Sequence, residues 1–475
     1  MLRRSPGRQT RKRPSQKGFR SRNRNPNPFG QKPVVETTGE LFSDGCGIEL
    51  IQDSGTEQLD FVVFDGKTLT IAPRFEHAGR IHVPPVFDPV TLRALRFPSK
   101  VESYGSTAKL FAAMQEVLTE HDFPGEIALR ANYFILSAWF PDCLPITPTL
   151  LITGPSSEAN FLLQLLSCMV RHPLPLVDID SAGLRALPRS LRPTLLIQQE
   201  HLSLSARKSL SASNKTGCHV SHNGELISVC FVKVLYRGLT FDDEFFMEGA
   251  LRVNLTPLRG RVPILDSKAQ EEIAGKLQPM LADYRLRNFA RVRDSQFELP
   301  EFSSGIRVLS RILGACIIDN PGLQIGLRPL LRELEDQIRV GRWSDPRCVV
   351  IEALLYHCHT AASEDLIHVG EIAKTVTTIF RARGETTVLG PKSVGAVIRS
   401  FYFSLKRDNR GWALRLTDAN RHRIHRLARD LDVAAVQEGM SQCAHCADII
   451  AACDRQNPKP TDPQKTRVAQ RKGRT

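Results

Sequence analysis

A chain of 475 residues, 41% hydrophobic and 24% charged, has room for two to four domains, and it lacks the apolar run of eighteen or more residues that a membrane span needs. Its net charge of +14 belongs to its ends: residues 1–33 hold eleven Lys/Arg and no acid, residues 455–475 hold seven Lys/Arg and one acid, and the body between them is near neutral at −3. The basic N-terminus has no apolar core behind it, which argues against a secretory signal, and eleven cysteines without a framework spacing point to reduced thiols and a cytoplasmic chain.

Residues 1–33 are rich in Pro, Gln, Asn and Gly and read as a disordered basic arm. Its cations attract polyanions through counterion release, so nucleic acid is its expected partner, with a plain solubilising tail as the alternative. Residues 34–100 read as a small β-rich module. Phe61–Phe64 and Thr68–Ile71 flank Asp65-Gly66, a pair that suits a two-residue type I′ hairpin turn. Residues 101–265 read as an α/β core. Two helical stretches within 104–141 lead into short apolar runs at 149–152, 174–177, 194–197, 229–235 and 251–255. Buried runs of that length alternating with helices predict a sheet with helices on both faces. Residues 266–363 read as a helical region.

Residues 364–433 form the best-defined small domain of the sequence. Val369, Ile372, Ala373, Val376 and Phe380 make one helix face, and Val394, Val397, Ile398 and Phe401 make a second. A basic turn, Lys406 to Gly411, separates two strand-like runs, and a third helix carries Ile424, Leu427, Ala428 and Leu431. Helix, helix, β-wing, helix is the order of a winged-helix variant. Residues 434–475 read as a Cys-x-x-Cys segment followed by a disordered basic tail.

The stretch Thr149 to Glu200 has the layout of a nucleotide-binding P-loop without its chemistry. That motif needs a buried strand, a turn of the form G-x-x-x-x-G-K-[ST], and a helix whose N-terminus faces the phosphates. Leu150, Leu151 and Ile152 supply the strand and Gly154 the first glycine, with Ser156 and Ser157 in the turn. In that register Ala159 replaces the second glycine, Asn160 the lysine, and Phe161 the magnesium-binding hydroxyl. Leu195-Leu196-Ile197 resembles the strand that ends in Asp-Glu, yet Gln198 and Gln199 stand there. Phosphoryl transfer rests on electrostatic positioning, and these residues supply no lysine, no metal-binding hydroxyl and no carboxylate. ATP hydrolysis by this mechanism is therefore not expected. Backbone amides of the Gly154 turn leave nucleotide binding as an alternative.

The order of these segments resembles the P-loop, AAA-like helicase or primase-associated proteins of bacterial phages, plasmids and integrated elements. The resemblance lies in the strand and Gly-Pro turn, in L-R-P-T-L-L-I, in the polar turn Ser213-Asn214-Lys215, and in the C-terminal domain. It implies a P-loop-like core followed by a helical region and a winged helix. It implies that Asn214 stands where a γ-phosphate sensor stands and Arg252 where an arginine completes the site. It also implies work in replication or maintenance of a mobile element, as a homo-oligomer or a subunit of a replication complex.

Three sites follow. For DNA, Lys392, Ser393 and Arg399 lie on the polar side of the second helix, and Lys406, Arg407 and Arg410 in the wing, where a helix enters the major groove and wing cations meet phosphates. A winged helix used for protein contact is the alternative. For metal, Cys443 and Cys446 have the two-residue gap that lets both thiolates reach one zinc. Cys453 and His445, or His425 upstream, complete four ligands, and free thiols are the alternative. His357-Cys358-His359 reads as a helix end with partly buried imidazoles. For nucleotide, the vestigial set is Gly154, Ser156, Ser157, Asn160, Gln198, Asn214 and Arg252. No nucleophile–base motif, Rossmann glycine set or H-E-x-x-H occurs. The sequence thus predicts a DNA-binding protein with no required cofactor. A divergent ATPase or helicase and a protein-binding scaffold remain as the other classes.

Overall fold

Strands of the predicted kind form where the apolar runs are short and bounded by Pro, Gly and Asp. The computed structural model describes residues 32–433, apart from 54, 188–190, 200–201, 213–218, 223–224, 229, 239–248, 259, 261, 362–364 and 432, together with 443–446. The basic arm, the basic tail, Asn214 and Cys453 lie outside the described residues, except for the last two positions of the arm. Among the described residues no helix is long and apolar enough to cross a membrane.

The chain opens with β1 (Val34–Glu36), β2 (Gly39–Leu41), β3 (Gly47–Gln52), β4 (Leu59–Phe64), β5 (Leu69–Ala72), β6 (Phe75–His77) and β7 (Arg80–Val83). Helices α1 (Pro89–Ala94), α2 (Thr107–Glu120) and α3 (Gly125–Ala138) follow. The α/β stretch is β8 (Thr149–Thr153), α4 (Ser156–Met169), β9 (Pro173–Leu176), α5 (Ser181–Ala186), β10 (Thr194–Ile197), α6 (Leu204–Ala212), β11 (His219–His222), β12 (Glu225–Ser228), β13 (Val232–Tyr236) and β14 (Leu251–Asn254). Four helices come next, α7 (Ser267–Arg293), α8 (Ser304–Ala315), α9 (Pro321–Ser344) and α10 (Pro346–Thr360). The last elements are β15 (Leu366–His368), α11 (Val369–Ala382), α12 (Pro391–Ser400), β16 (Lys406–Asp408), β17 (Gly411–Arg415) and α13 (Asp418–Asp430).

The chain divides into two compact units. Of the described residues, one comprises those within 32–147, 154–238 and 255–294; the other comprises those within 148–153, 249–254 and 295–446. In the first, β2–β3–β4–β5 is an antiparallel meander and β1, β7 and β6 form a small mixed sheet. The β4–β5 turn centres on Gly66-Lys67, one residue later than the two-residue Asp-Gly turn the sequence predicts. The Asp65 carboxylate causes the shift by accepting from the backbone of Lys67 (2.8 Å) and Thr68 (2.7 Å). Strands β9, β10 and β13 pair in parallel in this unit, and helix α4 packs against α7 and α3. The run predicted at 229–235 is β13, shifted toward Tyr236, and the β11–β12 hairpin before it has no counterpart in the sequence reading. In the second unit β8 and β14 pair in parallel. The protein is therefore a mixed α/β chain with parallel sheet.

The first unit is organised around a buried charge cluster. Glu49 on β3 is fully buried and accepts from Arg171 (Nε, 2.7 Å) and Arg285 (Nε, 2.8 Å). Arg285 on α7 in turn forks onto Asp142 at 2.9 and 2.6 Å. His172 lies 3.2 Å from Glu49. Burial alone would push the Glu49 carboxyl up, but Arg171 and Arg285 override it and hold it well below the usual carboxylate range. The same balance of burial against Arg285 brings Asp142 down to about 2. Burial, with Arg171 beside it, brings His172 down to about 4.

Removing one partner of such a network leaves buried charge without compensation, which costs about 3–5 kcal/mol. Glu49→Gln is expected to lower the unfolding free energy of the first unit by that order at pH 7, read as a lower urea midpoint; an unchanged midpoint would show the network to be dispensable. The pH dependence has one sign. Glu49 and Asp142 are depressed from 4.5 and 3.8, so the stability they add is present above those values and lost as pH falls. His172 is depressed from 6.5 to about 4, so protonation favours the unfolded chain across that window. Stability should fall as pH is lowered from 6.5, and the further fall below 4.5 should be smaller in Glu49→Gln.

Candidate functional site

The Gly154 turn joins β8 to α4, and its polar groups are already used. Gly154 has φ +120°, and a Cβ there would stand 2.4 Å from the Leu255 carbonyl oxygen, so only glycine fits. Its N–H donates to Gly238 O (2.8 Å) and its carbonyl accepts from Tyr236 Oη (3.0 Å). Ser156 and Ser157 are exposed on the first turn of α4. Glu158, in that same turn, is buried and accepts from Ser157 Oγ and from Leu258 N (3.2 Å). The Ser157 hydrogen bond, more than any other contact, holds its carboxyl below the usual range. A carboxylate at a helix N-terminus meets the positive end of the macrodipole, so α4 carries its own anion. Phe161 is core, stacked on Phe123 with ring centroids 5.7 Å apart. Asn160 is half-buried beside it.

The glutamines after β10 also have structural work. Gln198 is exposed, and its N–H donates to Leu176 O (2.9 Å). Gln199 Oε1 accepts from Ile179 N (3.1 Å). Arg252 lies on β14 opposite Leu151, and burial, followed by the like charge of Arg342, lowers its pKa to about 10.

The packed C-terminal elements α10 to α13 expose a set of basic residues. Their core is continuous: Val349, Val350, Ile351 and Leu354 of α10 pack with Ile372 and Val376 of α11, Val394 and Ile398 of α12, and Ile424 of α13. Each large side chain so buried contributes about 1.5–3 kcal/mol. That packing leaves Lys392, Ser393 and Arg399 exposed on one side of α12. The three-stranded antiparallel sheet β15–β17–β16 places Lys406 and Arg407 on β16 itself, with only Asn409-Arg410 in the turn. All three basic residues are exposed. Asp408, the one acid from Gly390 to Arg415, is occupied: it accepts from Arg410 N (2.8 Å) and His368 Nε2 (2.9 Å). The Arg410 N–H, ahead of His368, keeps its carboxyl below the usual range. Two aromatics missed in the sequence sit here. Trp412 pairs across the hairpin with Arg407 and is 48% exposed; Tyr402, at φ +60°, is 83% exposed. A cleft beside this face is lined by Lys374, Thr377, Thr378 and Arg381 of α11, the 388–391 loop, and Arg410.

A second cluster lies in the same unit. Ligand atoms of His359, His425, Cys443 and Cys446 all lie within 4.8 Å of one another. His359 Nε2 is 3.1 Å from His425 Nε2, Cys443 Sγ is 3.2 Å from His425 Nε2, and Cys446 Sγ is 3.4 Å from His359 Nε2. Burial lowers both imidazoles, His425 to about 4, and raises the Cys446 thiol to about 11. Arg421 builds the surroundings. It donates to the carbonyls of Cys358 and Ala361, capping the end of α10, and its own carbonyl accepts from His425 Nδ1 (2.7 Å). His445 is outside the set, facing Asp418 at 3.2 Å. The sequence offers Cys443, Cys446 and His425. It hides His359, because nothing in the spacing says that the end of α10 packs beside the middle of α13. This is a His/Cys cluster with the donor set of a metal site.

No protein-family model matches the chain, and no curated protein matches it. Among solved structures it is similar to the A form apo structure of the NrS-1 C terminal region, at 9% identity and TM-score 0.30 over 78% of this chain and 96% of that one. A second structure of that region, CTR(305-718), gives 8% identity and TM-score 0.29 with the same coverage. At that level the likeness carries no argument about activity.

Proposed function

We propose that the chain is a DNA-binding protein whose C-terminal domain is a winged helix and whose α/β core is a P-loop-like platform without catalysis. The observation that carries this reading is the charge of one stretch of exposed chain. Six Lys/Arg stand between Gly390 and Arg415 against a single acid that is already bonded. Exposed Trp412 and Tyr402 add ring faces among those cations. In this reading α12 enters the major groove, with Lys392, Ser393 and Arg399 toward the DNA, while Lys406, Arg407 and Arg410 meet phosphates. The basic arms add a sequence-independent electrostatic term. Work in mobile-element replication or maintenance is part of the same proposal, on the order of segments alone.

Support for a core that does not hydrolyse ATP comes from Glu158 and Phe161. One puts a carboxylate where a phosphate would need a cation, and the other fills the magnesium-ligand position with core. Incubation of the full chain with MgATP and duplex is expected to release no phosphate above blank. Saturable, DNA-stimulated release would restore the ATPase class.

The DNA reading is tested on the full chain by duplex titration at several salt concentrations. Each lost phosphate contact lowers the slope of log K against log salt by about 0.9. The triple variant Lys406→Ala, Arg407→Ala, Arg410→Ala should therefore weaken binding and flatten the slope by about 2–3. Unchanged affinity and slope in that variant would remove the hairpin from the interface.

A further inference from the structure

We infer that His359, His425, Cys443 and Cys446 hold one zinc ion in a closed, structural, four-coordinate site. The inference is independent of DNA binding and stands or falls on metal chemistry alone. A tetrahedral zinc with bonds of about 2.0–2.1 Å to nitrogen and about 2.3 Å to sulfur sets its ligand atoms roughly 3.3–3.8 Å apart. The observed separations of 3.1, 3.2 and 3.4 Å lie close to those edges. The donors also point the right way. His425 Nδ1 donates to the Arg421 carbonyl, which leaves the Nε2 lone pair facing the cluster. Among the described residues His359 makes hydrogen-bond contacts only through Nε2, toward His425 and Cys446, while its buried Nδ1 has no partner.

Two thiolates and two neutral imidazoles, with no carboxylate, select zinc over calcium or magnesium. All four positions come from protein, so no open site remains for a substrate, and the role is structural. The topology shows what the ion would do. His359 lies in the last turn of α10 and His425 within α13, 66 residues apart in sequence, and Cys443 follows His425 by 18 residues, with Cys446 after it. One ion would cross-link both helices and clamp residues 443–446 onto the C-terminal domain. Binding releases two thiol protons to solvent, so metal affinity falls in acid.

The test uses the full chain purified without chelator. About one zinc per chain by mass spectrometry of the metal is expected. Stripped protein reloaded with cobalt should show the intense ligand-field bands of tetrahedral cobalt and thiolate-to-cobalt charge transfer. His359→Ala should weaken zinc affinity by more than the roughly 10–100-fold that loss of an outer partner costs, while Cys453→Ala keeps full content. The cobalt spectrum reads the wild type, so it decides the matter even where a variant fails to fold. A metal-free wild type with no tetrahedral cobalt spectrum overturns the proposal. So does a Cys443–Cys446 disulfide in place of the ion, or zinc that survives His359→Ala and is lost in Cys453→Ala.

Discussion

A single buried carboxylate joins segments of the chain's first unit that are far apart in sequence. Glu49 comes from the β-rich N-terminal stretch, Arg171 from the link between α4 and β9, and Arg285 from α7, up to 236 residues away. A charge taken out of water must be paired, and here one acid has two guanidinium partners, Arg171 forked across both oxygens and Arg285 on Oε2. Asp142 neutralises the second guanidinium. These four segments satisfy their charges against one another. Through these bonds β3 of the meander is tied to α7 and to the link between α4 and β9, and α2 and α4 pack against α7.

The same economy of charge separates two helix N-termini that look alike in sequence. At the start of α4 the positive end of the helix faces Glu158, and the neighbouring amides of Gly154 and Leu258 are bonded inside the protein. At the start of α12, Lys392 and Ser393 are exposed and no acid lies between Gly390 and Ser400. An anion arriving from solvent meets a carboxylate at the first and cations at the second. That contrast is why the functional proposal rests on the C-terminal domain. Arg421 gives that domain internal order by bonding the end of α10, and its neighbour His425 brings the Cys/His cluster to the same helix.

Much of the framework was legible because it rests on local pattern. Leu150–Ile152, Leu195–Ile197 and Leu251–Val253 announce strands by β-branched or leucine runs cut short by Gly, Gln and Asn. The faces Val369–Phe380 and Val394–Ile398 announce α11 and α12 by helical spacing. What stayed hidden depends on partners far away in sequence. Glu49 reads as an ordinary polar residue in a strand, because its two arginines lie 122 and 236 residues on. His359 reads as a helix end until α13 is folded against it. The exposure of Trp412 depends on its register on β17, where it stands opposite Arg407. The Asp65 side chain moved a hairpin turn by one residue, a shift that residue preference alone does not resolve.

In the proposed reading the 391–415 stretch, rather than the Gly154 turn, is where this protein meets DNA. Amide hydrogen exchange of the full chain with and without duplex DNA reads both regions in one experiment. Protection gained across α12 and the β16–β17 hairpin, with the 154–160 and 194–199 segments unchanged, is the expected result. Protection confined to the Gly154 turn and the end of β10, with α12 and the hairpin unaffected, would contradict it.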